Sequence, residues 1–457
     1  MQGGKTLVVG AGKSGLAALT LLAEHDGRPV LFDSNEKLNI EEIRGSLQGK
    51  AASADIYKGD LPESVRSEIT ELVISPGVPI DSPFVKSFAE AGVRVSGEIE
   101  LAFSFEKGTL LAITGTNGKT TTTALCGKIL SDYTGKALVV GNIGTPYTGE
   151  VEKSTVDSVT VAEISSFQLE TADRFRPHIA AILNITPDHL NRHHTMEQYI
   201  LEKEKIAANQ GKEDYLILNY EDPVLREFGL KKEGQIRIIF FSSARELAEG
   251  FYFQDGYICR REKGIDQTDE SVRLIHQSEL QILGLHNMEN AMAAMAMAYA
   301  YGVPLESILR SLREFRAVEH RIEFVREVSG VRYYDDSKGT NVDAAIKGIQ
   351  AMDRRTCLIG GGYDKGASFD EWIEAFDGKV KKLVLIGQTA EKIADCAKKH
   401  GFHDYVMADS LKEAVAICHD NAADGEAVLL SPACASWGMF DNYEQRGDLF
   451  KQFVNEL

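Results

Sequence analysis

The 457-residue chain is short of cationic charge, of paired cysteines and of long apolar runs, and each shortage excludes something. Fifty lysines and arginines against 68 acids leave a net charge of −18, which excludes a general nucleic-acid or membrane-surface binder drawing its affinity from basic patches. An anionic ligand would therefore have to be met by local cationic sites. The six cysteines, at 126, 259, 357, 396, 418 and 434, form no C-x-x-C pair; they suggest neither a disulfide framework nor a zinc site and fit reduced thiols. No apolar run reaches the ~20 residues of a membrane span. Residues 1–5 lead almost directly into a strand-like run, so a cytoplasmic protein without a secretory leader is expected.

What is present reads as α/β. The length exceeds one core and suggests about three domains. Strand-like runs at 6–9, 30–33, 72–75, 110–114, 137–140, 158–163, 179–184 and 215–218 alternate with amphipathic helical stretches, the pattern of mostly parallel sheets. A boundary is expected near 96–97, before a helix at 98–105. Residues 237–281 break the rhythm with short alternating runs and predict an antiparallel excursion on the central domain. After an Ala/Met-rich core helix at 287–300, Gly302, Val303 and Pro304 punctuate the chain, and a new series begins with strands at 331–335, 356–360, 382–386 and 427–431. The expected domains are residues 1–96, 97–302 and 303–457: a Rossmann-like sheet, a P-loop ATPase-type sheet and a second Rossmann-like domain.

The stretch 110–123 carries the strongest chemical signal. An apolar strand runs into Gly115, Thr116, Asn117, Gly118, Lys119 and Thr120, followed by three more threonines. Glycines at 115 and 118 let backbone N–H groups approach phosphate oxygens. Lys119 can reach β and γ phosphates, and the Thr120 hydroxyl can ligate Mg²⁺ at a helix N-terminus whose dipole favours anions. The usual G-x-x-x-x-G-K-[ST] pattern needs glycine at 113, where this chain has Ile113, so the match is to a variant loop suited to ATP.

Other strand ends carry polar residues as well. Gly10, Gly12 and Gly15 form a G-x-G-x-x-G with Asp33 ending the next strand; taken alone this suits a dinucleotide, another nucleotide diphosphate held near Lys13 and Ser14, or a vestige of the fold. Glu163 ends a central strand, and Asp188 and His189 follow another, where a carboxylate and an imidazole beside Thr120 would suit Mg²⁺. His193 and His194 read as solvated loop residues without a role. In the third region, Glu319, His320 and Arg321 form a polar cluster, and the stretches 335–341, 360–365 and 430–437 would bring three strand-end loops to one sheet edge.

Together these motifs resemble the Mur ligase family of bacterial cell-wall synthesis over nearly the whole chain. The segments T-G-T-N-G-K-T-T at 114–121, G-N-I-G at 141–144, E-I-S-S-F-Q-L-E at 163–170 and L-G-L-H-N at 283–287 look family-wide. Those at 335–341 (D-D-S-K-G-T-N), 431–436 (S-P-A-C-A-S) and 440–447 (F-x-N-Y-E-x-R-G) look like the D-glutamate-adding branch. The resemblance implies an amide ligase that uses ATP to activate the carboxylate of a UDP-muramoyl-alanine as an acyl phosphate, which the amine of D-glutamate then attacks. A sibling ligase of the Mur or folylpolyglutamate type, and a silent nucleotide-binding regulator, are the alternatives.

By the same resemblance the first domain holds UDP rather than NAD, through Gly12, Lys13, Ser14, Asp33, Ser75 and Gly77, with Asn142 and Ser165 also on the sugar nucleotide. ATP contacts carry over to residues 115–121, namely Gly115, Thr116, Asn117, Gly118, Lys119, Thr120 and Thr121, and to Asn287, Asn290, His320, Arg321, Asp336 and Lys338. Thr340, Lys365, Ser436 and Tyr443 would hold D-glutamate, with Tyr443 where a phenylalanine is expected and Trp437 where some relatives carry leucine. Lys119, Glu163, His189 and Lys203 would be catalytic. Thr120, Glu163, His189 and Lys203, the last as a carbamate, would hold Mg²⁺, two ions in all. No nucleic-acid or membrane partner is implied, and a monomer is expected.

Overall fold

A computed structural model describes residues 4–142, 144–262 and 271–457. Ile143 of the G-N-I-G segment, residues 1–3 before the first strand and residues 263–270 of the expected excursion lie outside the described residues. Packing divides the chain into two compact units, Met1–Ile275 with Glu289–Leu312, and His276–Met288 with Arg313–Leu457.

The first unit contains two sheets. The smaller has the order β3-β2-β1-β4-β5, from β1 (Lys5–Val9), β2 (Pro29–Asp33), β3 (Asp55–Lys58), β4 (Ile69–Ile74) and β5 (Arg94–Gly97), all parallel. Strand order reverses between β1 and β4, and the glycine loop after β1 opens at that switch point, where an open parallel sheet gathers its ligands. Neither β3 nor β5 is marked by an apolar run in the sequence. Each is a four-residue strand at a sheet edge with exposed polar positions, so it lacks the continuous apolar signature of a buried parallel strand.

The larger sheet comprises β6 (Thr109–Thr114), β7 (Ala137–Gly141), β8 (Val159–Glu163), β9 (Ile179–Ile182), β10 (Tyr215–Asn219), β11 (Arg237–Ser242), β12 (Gly250–Gln254), β13 (Tyr257–Arg261) and β14 (Ser271–His276). Its order is β14-β13-β12-β11-β10-β9-β6-β8-β7. β6, β8 and β9 are buried nearly throughout, as a parallel sheet covered on both faces requires. The expected antiparallel excursion is only partly antiparallel: β11 and β12 extend the sheet in parallel, and antiparallel pairing is seen between β12 and β13.

The second unit has the order β15-β16-β20-β17-β18-β19, from β15 (Glu323–Val328), β16 (Val331–Asp335), β17 (Thr356–Gly360), β18 (Val380–Leu385), β19 (Tyr405–Met407) and β20 (Ala427–Leu430). β15 pairs antiparallel with β16, and the other pairings are parallel. Because β16, β20 and β17 are adjacent and parallel, the loops that follow them leave the same edge. Among the described residues no helix is long and apolar enough to cross a membrane.

Candidate active site

The phosphate loop is built by β6 and the helix Lys119–Thr134. Gly118 caps this helix with φ +85, and a Cβ there would lie 2.2 Å from Asn290 Oδ1, so both the turn and the close approach require glycine. Asn290 also accepts a hydrogen bond from the Thr122 hydroxyl at 3.2 Å. Four threonines are poor helix formers. Here all four are buried in the first turns of the helix, where tertiary packing overrides propensity.

The segment that follows β9, with Tyr199 of the helix Met196–Glu204, fixes the loop. Asn184 accepts from the Asn117 N–H at 2.8 Å and donates to the Asn117 carbonyl at 3.1 Å. The Thr116 hydroxyl donates to the Thr186 carbonyl, accepts from the Thr186 N–H and lies 3.1 Å from the Tyr199 hydroxyl. The Lys119 ammonium turns back onto the carbonyls of Gly115 and Thr116, both at 2.9 Å. The site is thus pre-organised, with its cation resting on the loop that a phosphate would meet.

Two buried groups beside the loop suit a metal. Glu163, on β8, is registered with Ile113 of β6 and Gly141 of β7. Its Oε1 accepts from Asn142 Nδ2 at 2.8 Å, while Oε2 is buried with no hydrogen-bond partner. A buried carboxylate oxygen without a donor is costly, and a hard cation is what such an oxygen accommodates. Lys203 is 2% exposed, donates to the Gly115 carbonyl at 2.9 Å and lies 4.7 Å from the Tyr199 ring centre. Burial, joined by the Lys119 charge, pushes its ammonium well below the ordinary lysine range, the condition in which a lysine becomes a nucleophilic amine.

Thr120 is buried at the helix start, and Thr121 follows it. His189 adopts φ +53 at the entry to the short helix Leu190–His193, half-exposed, with its ring against Phe167. His193, read from sequence as solvated, is instead 3% exposed: its Nε2 meets Ser166 Oγ at 2.9 Å, and Glu170 lies 3.6 Å from Nδ1. His194 is exposed as expected and pairs with Asp81. Ser165 caps the helix Ser166–Leu169 in a reciprocal capping box with Gln168, which occupies its hydroxyl.

In the first sheet, Asp33 is committed to backbone: its carboxylate accepts from the N–H groups of Ala11 and Asn35 at 2.8 and 2.9 Å, tying the end of β2 to the glycine loop. Ser75 donates to the Gly10 carbonyl across the switch point. Gly12, Lys13 and Gly77 are exposed around it, and Ser14 is half-buried.

In the second unit, Asp336 follows β16, fully buried, and accepts from Ser431 Oγ at 2.7 Å; burial pushes its carboxyl up to about 7. Arg321, whose Nε is buried without a hydrogen-bond partner, opposes that rise electrostatically. His320 meets Asp335 at 2.7 Å; burial alone would lower its pKa, but the carboxylate raises it above the ordinary histidine value. Asn287 is buried and donates to the Leu283 carbonyl. The Lys338 ammonium lies 5.3 Å from the Tyr443 ring centre and that ring 6.1 Å from His320, so Tyr443 stands with the expected ATP residues. Lys365 sits over Trp437, 5.0 Å from the ring centre, beside buried Ser436. Thr340 is half-buried in the loop after β16.

All three parts of the chain match models of one family: a Mur ligase MurD-like N-terminal domain over residues 4–97, a Mur ligase middle domain over 113–298 and a Mur ligase glutamate ligase domain over 320–434. The chain belongs to the Mur ligase family. It is 53% identical to a UDP-N-acetylmuramoylalanine–D-glutamate ligase of Lachnospira eligens, over 99% of this chain and 98% of that protein. A protein of the same name from Lachnoclostridium phytofermentans is 53% identical over 100% and 98%. The fold is also that of a UDP-N-acetylmuramate–alanine ligase from Thermotoga maritima, with a TM-score of 0.62 at 18% identity and 99% of both chains covered.

One Mur ligase residue carried no assigned role at the sequence level. Arg446 is completely buried, donating to Ser337 Oγ, the Ser337 carbonyl and the Cys434 carbonyl, and so clamps the loop after β16 to the loop after β20. Gly447, next to it, would place a Cβ 2.1 Å from His320 Nδ1. The R-G pair within 440–447 was the available signal, but only the fold reveals what it touches.

Proposed function

We propose that the protein is an ATP-dependent ligase that joins D-glutamate to UDP-N-acetylmuramoyl-L-alanine in peptidoglycan precursor synthesis, acting as a monomer in the cytoplasm. The observation that carries this reading is 53% identity, over essentially the full chain, to proteins named for that reaction. Residues 1–96 would hold the UDP moiety at the switch point, residues 97–302 the ATP phosphates, and residues 303–457 the incoming amino acid and part of ATP.

In the first step a carboxylate oxygen of the muramoyl-alanine attacks the γ-phosphorus; the bond to the ADP oxygen breaks and an acyl phosphate forms. In the second, the neutral amine of D-glutamate attacks the acyl carbon, phosphate leaves with the electron pair of the C–O bond, and the amine proton passes to solvent or a base. Phosphoryl transfer asks mainly for positioning and charge neutralisation. Lys119 would leave its two loop carbonyls for the phosphates, and the backbone N–H groups of residues 118–120 would orient them, those of Thr116 and Asn117 being held by Asn184.

Thr120, Glu163, His189 and Lys203 would hold two Mg²⁺ ions, which when bound draw negative charge off the phosphoryl oxygens. The partnerless Glu163 Oε2 supports that assignment. The depressed Lys203 pKa supports carbamylation, because CO₂ adds only to a neutral amine, which loses a proton as the N–C bond forms. Thr340, Lys365 and Ser436 would grip the two carboxylates of D-glutamate, with Tyr443, beside Lys338 and His320, bordering the ATP contacts.

The test is phosphate release by the purified protein with Mg²⁺, ATP and UDP-N-acetylmuramoyl-L-alanine. D-glutamate, L-glutamate, L-lysine and meso-diaminopimelate are compared as acceptors. Turnover with D-glutamate alone is expected; turnover with another acceptor moves the function to a sibling ligase, and ATP binding without turnover overturns the reading.

A further inference from the structure

The helices Asp370–Glu374 and Ala390–Lys399 of the second unit each present two polar side chains four residues apart, which places each pair on one helix face. One pair is Asp370 and Glu374; the other is Cys396 and His400, the latter capping its helix. The two faces meet. His400 Nε2 lies 2.7 Å from Asp370 Oδ1, and one ligand atom each from Asp370, Cys396 and His400 fall within 4.8 Å of one another. None of the three enters the ligase chemistry described above.

We propose that Asp370, Cys396 and His400 form a binding site for a zinc-type transition-metal dication, with a fourth position open to water. The donor set of carboxylate oxygen, imidazole nitrogen and thiolate sulfur is the mixture that Zn²⁺ accepts. Tetrahedral coordination at the usual bond lengths puts ligand atoms about 3.3–3.8 Å apart. The observed cluster is tighter than this between Asp370 and His400, whose 2.7 Å hydrogen bond would open on binding, and its three ligand atoms all fall within 4.8 Å.

Three further features fit a metal. Glu374 Oε1 lies 3.5 Å from His400 Nδ1, so a carboxylate faces the ring nitrogen away from the cluster, the partnership that orients metal-bound histidines. Asp370 Oδ1 already accepts the Lys399 ammonium at 2.7 Å, so a cation shares the oxygen that the dication would take. That lysine is 70% exposed on its side chain and can swing into solvent. Cys396 is also the one cysteine of the six that is not buried. Binding would release the thiol proton, the sulfur lone pair forming the metal bond, while His400 binds as the neutral ring.

The site begins five residues after Lys365, on the same connection out of β17, so occupancy would pin the helix start that follows the proposed glutamate-binding lysine.

The test uses the full-length, reduced, chelator-treated protein titrated with Zn²⁺ alone by calorimetry, and with Co²⁺ followed by absorption. One Zn²⁺ per chain is expected, together with a sulfur-to-Co²⁺ charge-transfer band. Cys396→Ser should weaken Zn²⁺ binding by more than about tenfold, the loss that removing even an outer-shell partner of a metal ligand brings, and abolish that band. Lys399→Met should tighten binding severalfold by removing the competing ammonium. Zinc affinity unchanged in Cys396→Ser, or cobalt bound without the band, overturns the proposal. If Cys396→Ser fails to fold, the cobalt spectrum of the unaltered protein and protection of Cys396 from maleimide by Zn²⁺ decide it.

Discussion

The two units each bury a long basic side chain beside their functional loops, and to opposite ends. Lys203 has one carbonyl within reach of its ammonium and another cation, Lys119, close enough to depress its pKa further. Arg446 meets three oxygens with its planar fork, and burial lowers it only to about 10, so it stays charged. The first arrangement stores reactivity at the cost of an ill-paired amine; the second spends a fixed charge on holding two loops together. A buried cation is thus read by its acceptors: few acceptors point to chemistry, a full set to architecture.

That contrast can be broken in order of expected effect. Lys203→Ala should lower turnover by about 10²–10³-fold, the scale of losing a pre-organised charge-stabilising group, with the thermal midpoint unchanged or raised because an ill-paired amine has gone. A midpoint that falls with activity would make Lys203 architectural after all. Arg446→Met should do the reverse, destabilising the second unit by about 3 kcal/mol in denaturant titration as buried acceptors at Ser337 and Cys434 lose their donor.

The next effect concerns pH. Asp336 and His320 both have folded-state pKa values above their ordinary ones, Asp336 at about 7. A raised pKa means that the folded state binds its proton more tightly. The stabilisation is therefore fully present below the ordinary value and lost as pH rises through the folded one. The nucleotide-free second unit should lose stability from about pH 4 to above pH 7, and Asp336→Asn should flatten the lower part of that slope. A flat profile in the unaltered protein would show that Asp336 ionises freely. The smallest effect belongs to Thr116→Val, which removes the hydroxyl shared by Thr186 and Tyr199 and should cost about 1–2 kcal/mol of stability.

Much of the fold is legible in sequence because its core strands are continuous apolar runs punctuated by glycine. The placement of residues 115–120 between β6 and a helix, and of Glu163 at the end of β8, is equally legible, since each follows directly on a local apolar run. What was not legible depends on partners distant in the chain. β15 has no buried residue and carries charges among its apolar ones, and it becomes a strand by pairing with β16. His193 looks solvated among polar neighbours until Ser166 and Glu170, over twenty residues back, close over it. The clamp role of Arg446 reaches 109 residues back to Ser337. The Ser165 hydroxyl, expected on substrate, is engaged by a residue three places on, a capping signature that S-S-F-Q already carried.

The register of Glu163 with Ile113 and Gly141 also bears on how such a chain can diverge. Adding or deleting one residue within β6, β7 or β8 would slide a strand by about 3.3 Å and turn its side chains to the opposite face. The carboxylate, the phosphate loop and Asn142 would then no longer coincide. Length changes should accumulate instead in the connection between β7 and β8, at the exposed segment around Val156 and Asp157, where no strand is displaced. Across descendants of this sequence, insertions should map the active edge by avoiding it.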